Sequence, residues 1–239
     1  MSNSKLVTTT MITQNKTPRT AKIDTITIHH MATVSTAQAC AASFLPSARK
    51  ASANYCIGYD GGVALSVPED YRSWCSSSYE NDNRAITIEV SNDGRAPDWH
   101  VGDVAMEKLL ELCVDICRRN GIERLNYTGD TTGNLTMHKW FQSTLCPGPY
   151  LENKFPWIAE EVNRRLEAGE DTEAPEAEPE AVPAPVSEPA LEEEKDIIYR
   201  VQVGAFRVKS NAKDLLEKLR AAGYVNAFIT EGKKVGGSE

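Results

Sequence analysis

The chain has 239 residues, 41% of them hydrophobic and 25% charged, which is enough for one domain of ordinary size and a smaller companion. Its net charge of −8 is local in origin: residues 169–194 hold ten acidic side chains and no Lys or Arg, and without them 24 acidic residues face 26 basic ones, a balance of +2. That near-neutral remainder excludes the concentrated basic face that nucleic-acid binding requires, and no stretch approaches the ~20 apolar residues of a membrane span.

Residues 1–16 are polar and Thr-rich, without the apolar centre of a signal peptide, so the protein is expected to be made in the cytoplasm. Residues 1–21 read as an N-terminal arm, either loose or serving as an edge segment before the first sheet strand. Thr25-Ile-Thr-Ile-His-His-Met-Ala32 is a β-branched run that reads as a buried strand delivering an imidazole at its carboxyl end. Adjacent strand residues face opposite sides of a sheet, so His29 and His30 do not easily bind one ion together, and chemistry alone leaves open which of them does. Residues 37–44 and 46–53 are Ala- and Ser-rich with helical spacing, which predicts one or two short helices. Residues 55–59 and 63–67, joined across Asp60-Gly-Gly62, predict a hairpin. Residues 85–90 predict a further strand, and strands separated by helices point to an α/β fold.

The clearest helix spans 103–120, with Asp103 placed to cap its start and Gly121 to take the left-handed position after its end. Leu109, Leu112, Cys113, Ile116 and Cys117 form its apolar stripe. Cys113 and Cys117 also have a metal-ligand spacing, but no acidic or imidazole partner shares their face, so they read as small core side chains. Residues 157–166 predict the domain's last helix, with Trp157, Ile158, Val162 and Leu166 inward. Between the two, Met137-His-Lys-Trp140 and Leu145-Cys-Pro-Gly148 supply a second imidazole, His138, and a thiol, Cys146. Three N/S ligands with a fourth position left to water is the pattern of a catalytic zinc. Without a signal peptide the six cysteines (Cys40, Cys56, Cys75, Cys113, Cys117 and Cys146) are expected as free thiols, and a zinc thiolate needs a reduced sulfur as well. Over residues 168–196, Pro175, Pro179, Pro183, Pro185 and Pro189 among Glu and Ala predict an extended, self-repelling linker. Tyr199-Arg-Val-Gln-Val-Gly-Ala-Phe206 then alternates as a strand, followed by a Ser210-capped helix carrying Leu215, Leu216 and Leu219, Gly223, and a second strand over 225–230.

Four motifs taken in order resemble one family: the strand ending in His29-His-Met-Ala32, Ser52-Ala-Asn-Tyr-Cys-Ile-Gly-Tyr-Asp-Gly61, Arg84-Ala-Ile-Thr-Ile-Glu-Val90, and His138 placed before Cys146-Pro-Gly148. Over about residues 22–166 the chain resembles the type 2 N-acetylmuramoyl-L-alanine amidases, a group that includes phage endolysins, autolysins and peptidoglycan recognition proteins. The resemblance implies a mixed central β-sheet flanked by helices, with a catalytic domain over 22–167. It implies Zn2+ held by His29, His138 and Cys146, and hydrolysis of the amide between N-acetylmuramic acid and L-alanine. Glu89 is implied as general base and proton shuttle, and Tyr55 as a hydrogen-bonding partner of the attacking water or the oxyanion; the two assignments are exchangeable. Thr144 stands where many relatives carry a lysine, and with Asn54 and Trp74 it is assigned to substrate binding. Trp74 and Trp99 read either as sugar-stacking platforms or as rim packing, and His30 and His100 as structural. The Val-Gln-Val-Gly-Ala-Phe string resembles the opening of a SPOR domain, a small α+β fold that binds glycan strands; the likeness lies within 197–239 and spans about half of a typical SPOR domain. The implied partner is peptidoglycan, both muropeptide and glycan strand, with no nucleic acid or membrane partner and the oligomeric state open. The expected place of action is the cell wall after release, holin-assisted if a phage encodes the protein. The alternatives are a non-catalytic peptidoglycan-binding protein of the same fold, a hydrolase using Cys146 as nucleophile, and a scaffold or inhibitor.

Overall fold

A computed structural model describes residues 2–169, together with the isolated helical positions Lys213 and Leu216. The chain divides into two units, Met1–Glu178 and Pro179–Glu239, and every strand and helix named below belongs to the first. Its strands are β1 (Thr9–Thr10), β2 (Thr17–Pro18), β3 (Thr25–His30), β4 (Tyr55–Ile57), β5 (Val63–Leu65), β6 (Tyr71–Arg72), β7 (Ala85–Val90) and β8 (Leu135–Met137). Its helices are α1 (Ala37–Ser43), α2 (Tyr79–Arg84), α3 (Asp103–Asn120) and α4 (Pro149–Glu167).

Six strands form one sheet in the order β1-β5-β4-β7-β3-β8, while β2 and β6 pair separately. Only β4 and β5 run antiparallel within the large sheet, so the expected mixed sheet is present. The period-two alternation of the strands divides the residues between two faces. Ile26, Ile28, Tyr55, Ile57, Ile86 and Ile88 join Leu109, Leu112, Ile116, Phe155 and Ile158 of α3 and α4 in the main core. Cys56 and Ala64 point the other way, where Ala37, Cys40, Ala41 and Phe44 of α1 cover them in a smaller cluster. This second face is made of small and polar groups. Thr27 and Thr136 are joined through their hydroxyls at 2.9 Å, as are Ser73 and Thr87 at 2.7 Å. The thin cover leaves a cavity beside the carboxyl ends of β3 and β7, which is where an α/β sheet ordinarily receives its ligand.

The N-terminal arm is an edge segment: β1 pairs with β5, and Ser4 donates its backbone N–H to the Tyr55 hydroxyl at 2.9 Å. Helix α1 has Thr36 as its N-cap, the hydroxyl accepting from the Ala39 N–H. No helix forms over 46–53; a single 3-10 turn, Ser47–Arg49, ends at Lys50 in the left-handed region. Residues 45–50 are exposed, so a helix there would have no apolar face to bury and a short segment does not hold a helix alone. The hairpin is present with a loop over 58–62. Helix α3 has the expected bounds and its Gly121 cap at φ 65°, but Gly102 rather than Asp103 is the N-cap, which leaves Asp103 in the first turn beside the positive helix end. Helix α4 starts at Pro149, well before the predicted 157, because Leu151 and Phe155 anchor the early turns in the core and the helix runs through Pro156. Trp157 is correspondingly 41% exposed instead of inward. The six cysteines are free thiols. The expected C-terminal strand-helix-strand lies outside the described residues.

Candidate active site

His29 is the fifth residue of β3 and stands opposite Glu89 of β7 in the sheet register, so both project from the same face. Strand β8 runs parallel to β3 on its other side and passes directly into the 3-10 turn His138–Trp140, which sets His138 beside His29. The two rings lie 4.8 Å apart between centroids, tilted by 55°. The loop after the turn folds back so that Lys139 donates its N–H to the Cys146 carbonyl at 3.1 Å, while the Cys146 N–H is received by the Thr144 hydroxyl at 3.2 Å. Cys146 Sγ thereby comes to 3.5 Å from His29 Nδ1. One donor atom each from His29, His138 and Cys146 lies within 4.8 Å of the others. Of the three residues predicted as ligands, all meet at one point.

The electrostatics suit a cation. Burial lowers the His29 pKa far below the usual imidazole value, and the neighbouring His138 and His30 push it in the same direction, so the ring is neutral and one of its nitrogens keeps its lone pair. Its Nε2 is buried without a hydrogen-bond partner. His138 is lowered too by burial, against the opposing effects of its Gln142 contact and of Asp82; its Nε2 lies 3.3 Å from Gln142 Oε1, which also accepts from the Ser77 hydroxyl. Burial pushes the Cys146 thiol up, and the Glu89 charge adds to that. Two neutral imidazoles, an orphaned ring nitrogen and a thiol that needs a positive neighbour to ionise make a donor set that fits zinc. A Cys–His nucleophile pair would require the reverse, a thiol lowered and an imidazole raised.

Glu89 is set beside this cluster. Burial pushes its carboxyl up to about 8, partly opposed by the charge of Arg49, and its Oε2 is buried with no partner. His29, Cys75 and Glu89 form a second group whose donor atoms again lie within 4.8 Å of one another. A cavity of about 440 Å³ opens here, lined among others by His30, Arg49, Ser52, Trp74, Cys75, Glu89 and His138. Trp74 is among the lining residues, and its indole Nε1 is buried without a partner. Trp99 is not part of the lining and packs edge-on against His30 with centroids 5.3 Å apart. His30 belongs to the opposite side of β3, and His100 is tied to Asp93 at 2.5 Å, so neither joins the donor cluster.

A family model described as N-acetylmuramoyl-L-alanine amidase matches residues 19–149, more than half of the chain. The chain belongs to that family. The amidase domain also shares its fold with solved structures of low sequence identity. One is titled "Structure of PlyL" (TM-score 0.51, 15% identity, covering 64% of this chain and 95% of that one). Another is the Staphylococcus aureus hydrolase AmiA in complex with its ligand (TM-score 0.54, 16% identity, 67% and 84% covered). A third is the PlyG catalytic domain (TM-score 0.51, 16% identity, 70% and 98% covered). A family model of the SPOR domain matches residues 195–236. No curated relative matches the sequence.

Two residues assigned to the amidase site do not reach it. Tyr55 is fully buried on the α3 side of the sheet, one position out of phase with Cys56, the residue that stands opposite Glu89. Its hydroxyl donates to Glu69 Oε1 at 2.5 Å, and Glu69 is held in turn by Arg119 at 2.7 Å. Burial, together with the Glu69 carboxylate, raises the phenol's pKa far above its ordinary value, so it serves as a structural donor. Tyr55→Phe is therefore expected to cost about 1.5–3 kcal/mol of stability, the range for a hydrogen bond to a charged acceptor, and to leave wall hydrolysis unchanged. Urea unfolding beside a wall-lysis assay checks this; a large loss of kcat at intact stability would return Tyr55 to the site. Asn54 is equally occupied: its Nδ2 donates to the Val67 carbonyl at 3.1 Å and its Oδ1 accepts from the Thr87 N–H at 3.1 Å, so it pins β4 to β7 and has nothing left for substrate. Thr144 acts on the Cys146 loop through its hydroxyl. No local pattern marks Arg49 as a cavity residue, and Cys75 is legible only as one thiol among six.

Proposed function

We propose that the chain is a zinc-dependent N-acetylmuramoyl-L-alanine amidase that opens the cell wall in the manner of an endolysin. The observation that carries this reading is the convergence of His29, His138 and Cys146 within 4.8 Å, with the unpartnered Glu89 carboxyl beside them at the edge of a cavity. Zinc held by those three residues supplies a Lewis acid for the scissile carbonyl and a water nucleophile near neutral pH.

The remaining steps belong to the chain. His29 and His138 stay neutral through burial and so present lone pairs rather than competing positive charge. Glu89 is the group placed to accept a proton from the attacking water, because among the described residues it is the one carboxylate lining the cavity and a neighbouring cation favours its ionised form. As the carbon–nitrogen bond breaks, the same carboxyl returns that proton to the departing α-amino nitrogen of L-alanine, leaving a lactyl carboxylate on the sugar. Trp74, in the cavity lining, is the aromatic side chain placed to pack against the sugar or peptide. Thr144 holds the Cys146 loop in place. Residues 22–167 would form the catalytic unit and 168–196 a linker, while 197–239, which overlaps the SPOR match over 195–236, would hold the enzyme on glycan strands and raise its local concentration there.

The bond cleaved tests the reading. Purified cell walls incubated with the protein should gain new L-alanine amino termini and no new reducing sugar ends. New reducing ends without L-alanine amino termini would mark a glycosidase and overturn it.

A further inference from the structure

Arg49 is placed where the hydrolysis itself does not need it. It ends the 3-10 turn Ser47–Arg49, is exposed, and lines the cavity that holds Glu89, Trp74 and His138. Other arginines of the domain are tied down: Arg19 reaches backbone carbonyls including that of Asn83 at 2.7 Å, Arg119 pairs with Glu69, and Arg165 with Glu107. The Arg49 side chain makes no hydrogen bond or ion pair among the described residues. Among the described residues lining the cavity it is the only Lys or Arg, and Glu89 the only acid. A guanidinium with all its donors free, at the lip of a pocket whose one carboxylate is committed to catalysis, has a vacant role as an anion receptor. Arg49 and Glu89 line the same cavity, so a ligand whose scissile carbonyl lies at the donor cluster carries its neighbouring groups toward the guanidinium.

The polymer supplies such an anion. In the stem peptide the residue after L-alanine is a glutamate linked through its side chain, whose main-chain carboxyl is a free carboxylate in some walls and a carboxamide in others. We infer that Arg49 receives this carboxylate and makes the enzyme prefer walls in which it is not amidated. The inference rests on the amidase reading of the same cavity. A guanidinium binds a carboxylate through two parallel charge-assisted hydrogen bonds, whereas the neutral carboxamide offers one acceptor and a clashing donor.

A two-by-two comparison tests it. The wild type and Arg49→Gln are each assayed on two muropeptides that differ only in carboxylate against carboxamide at that position. The wild type should show a KM about tenfold lower for the carboxylate form, and Arg49→Gln should lose that preference, with Arg49→Lys in between. Removing the cation also raises the Glu89 pKa, but that effect acts on kcat for both substrates alike and leaves the KM ratio as the readout. A wild type that does not discriminate, or an Arg49→Gln variant that still does, would overturn the inference. Cleavage of neither muropeptide would sink the amidase reading instead, and calorimetric binding of the same two ligands to the same two proteins would then decide the part played by Arg49.

Discussion

Cys146→Ser is expected to empty the metal site and to lower wall hydrolysis by about three orders of magnitude or more. Cys146 provides the sulfur of a donor set in which the other two ligands are neutral imidazoles, so it is the only member that brings negative charge to the cation. A hydroxyl in its place ionises far less readily and binds zinc weakly. Lewis-acid stabilisation is worth several kcal/mol, and each 1.4 kcal/mol is a factor of ten in rate. Cys113→Ala is the matched comparison, since Cys113 is also fully buried but lies in the α3 stripe of the main core. It is expected to lose about 1–2 kcal/mol of stability to a small cavity and to keep both metal and activity. Zinc content per chain after dialysis, measured beside thermal unfolding, separates the two. Equal metal loss in both variants would reverse the assignment of Cys146.

Glu89→Gln is expected to keep the metal and lose activity by a factor of about 10²–10⁴, the usual weight of a positioned general base. The substitution preserves shape and removes only the titratable oxygen, so a loss confined to kcat identifies a proton-transfer role. The same variant has a second signature in metal-free protein. Burial raises the Glu89 carboxyl from its ordinary 4.5 to about 8, so the folded state holds a proton that the unfolded state gives up. The stability this contributes is present below about 4.5 and lost as the pH rises through about 8. Glutamine carries no such dependence. Chelated wild type should therefore lose stability relative to Glu89→Gln across that interval and match its trend below it. Parallel stability curves from acid to alkaline pH would show that Glu89 is not held protonated by its surroundings.

Much of this was legible in the residues, and where it was not the physical reason is specific. The β-branched runs at 25–30 and 85–90 could only be central strands, and the stripe and caps of residues 103–120 set the longest early helix almost to the residue. His29, His138 and Cys146 were chosen from residue chemistry and family likeness, and the fold brings them together because β8 lies beside β3. Tyr55 failed through register, whereas Asn54, two positions before Cys56, failed because its amide is spent on Val67 and Thr87. A strand read from sequence has alternating faces but no label saying which face is which, and a shift of one residue exchanges them. Cys56, not Tyr55, stands opposite Glu89. Pro156 concealed the first half of α4, since a proline reads as a helix end until Leu151 and Phe155 are seen holding the turns against the core. Arg49 carries no local pattern at all; only the folded cavity distinguishes it from any other exposed arginine.

The central claim, that the His29, His138 and Cys146 cluster is a zinc centre that hydrolyses the bond to L-alanine, is tested most directly by titrating zinc into metal-free protein while counting the L-alanine amino termini released from purified walls. The release should be at background without metal, rise in proportion to added zinc, and level off at one equivalent per chain. Full release by protein from which all metal has been removed would contradict the claim.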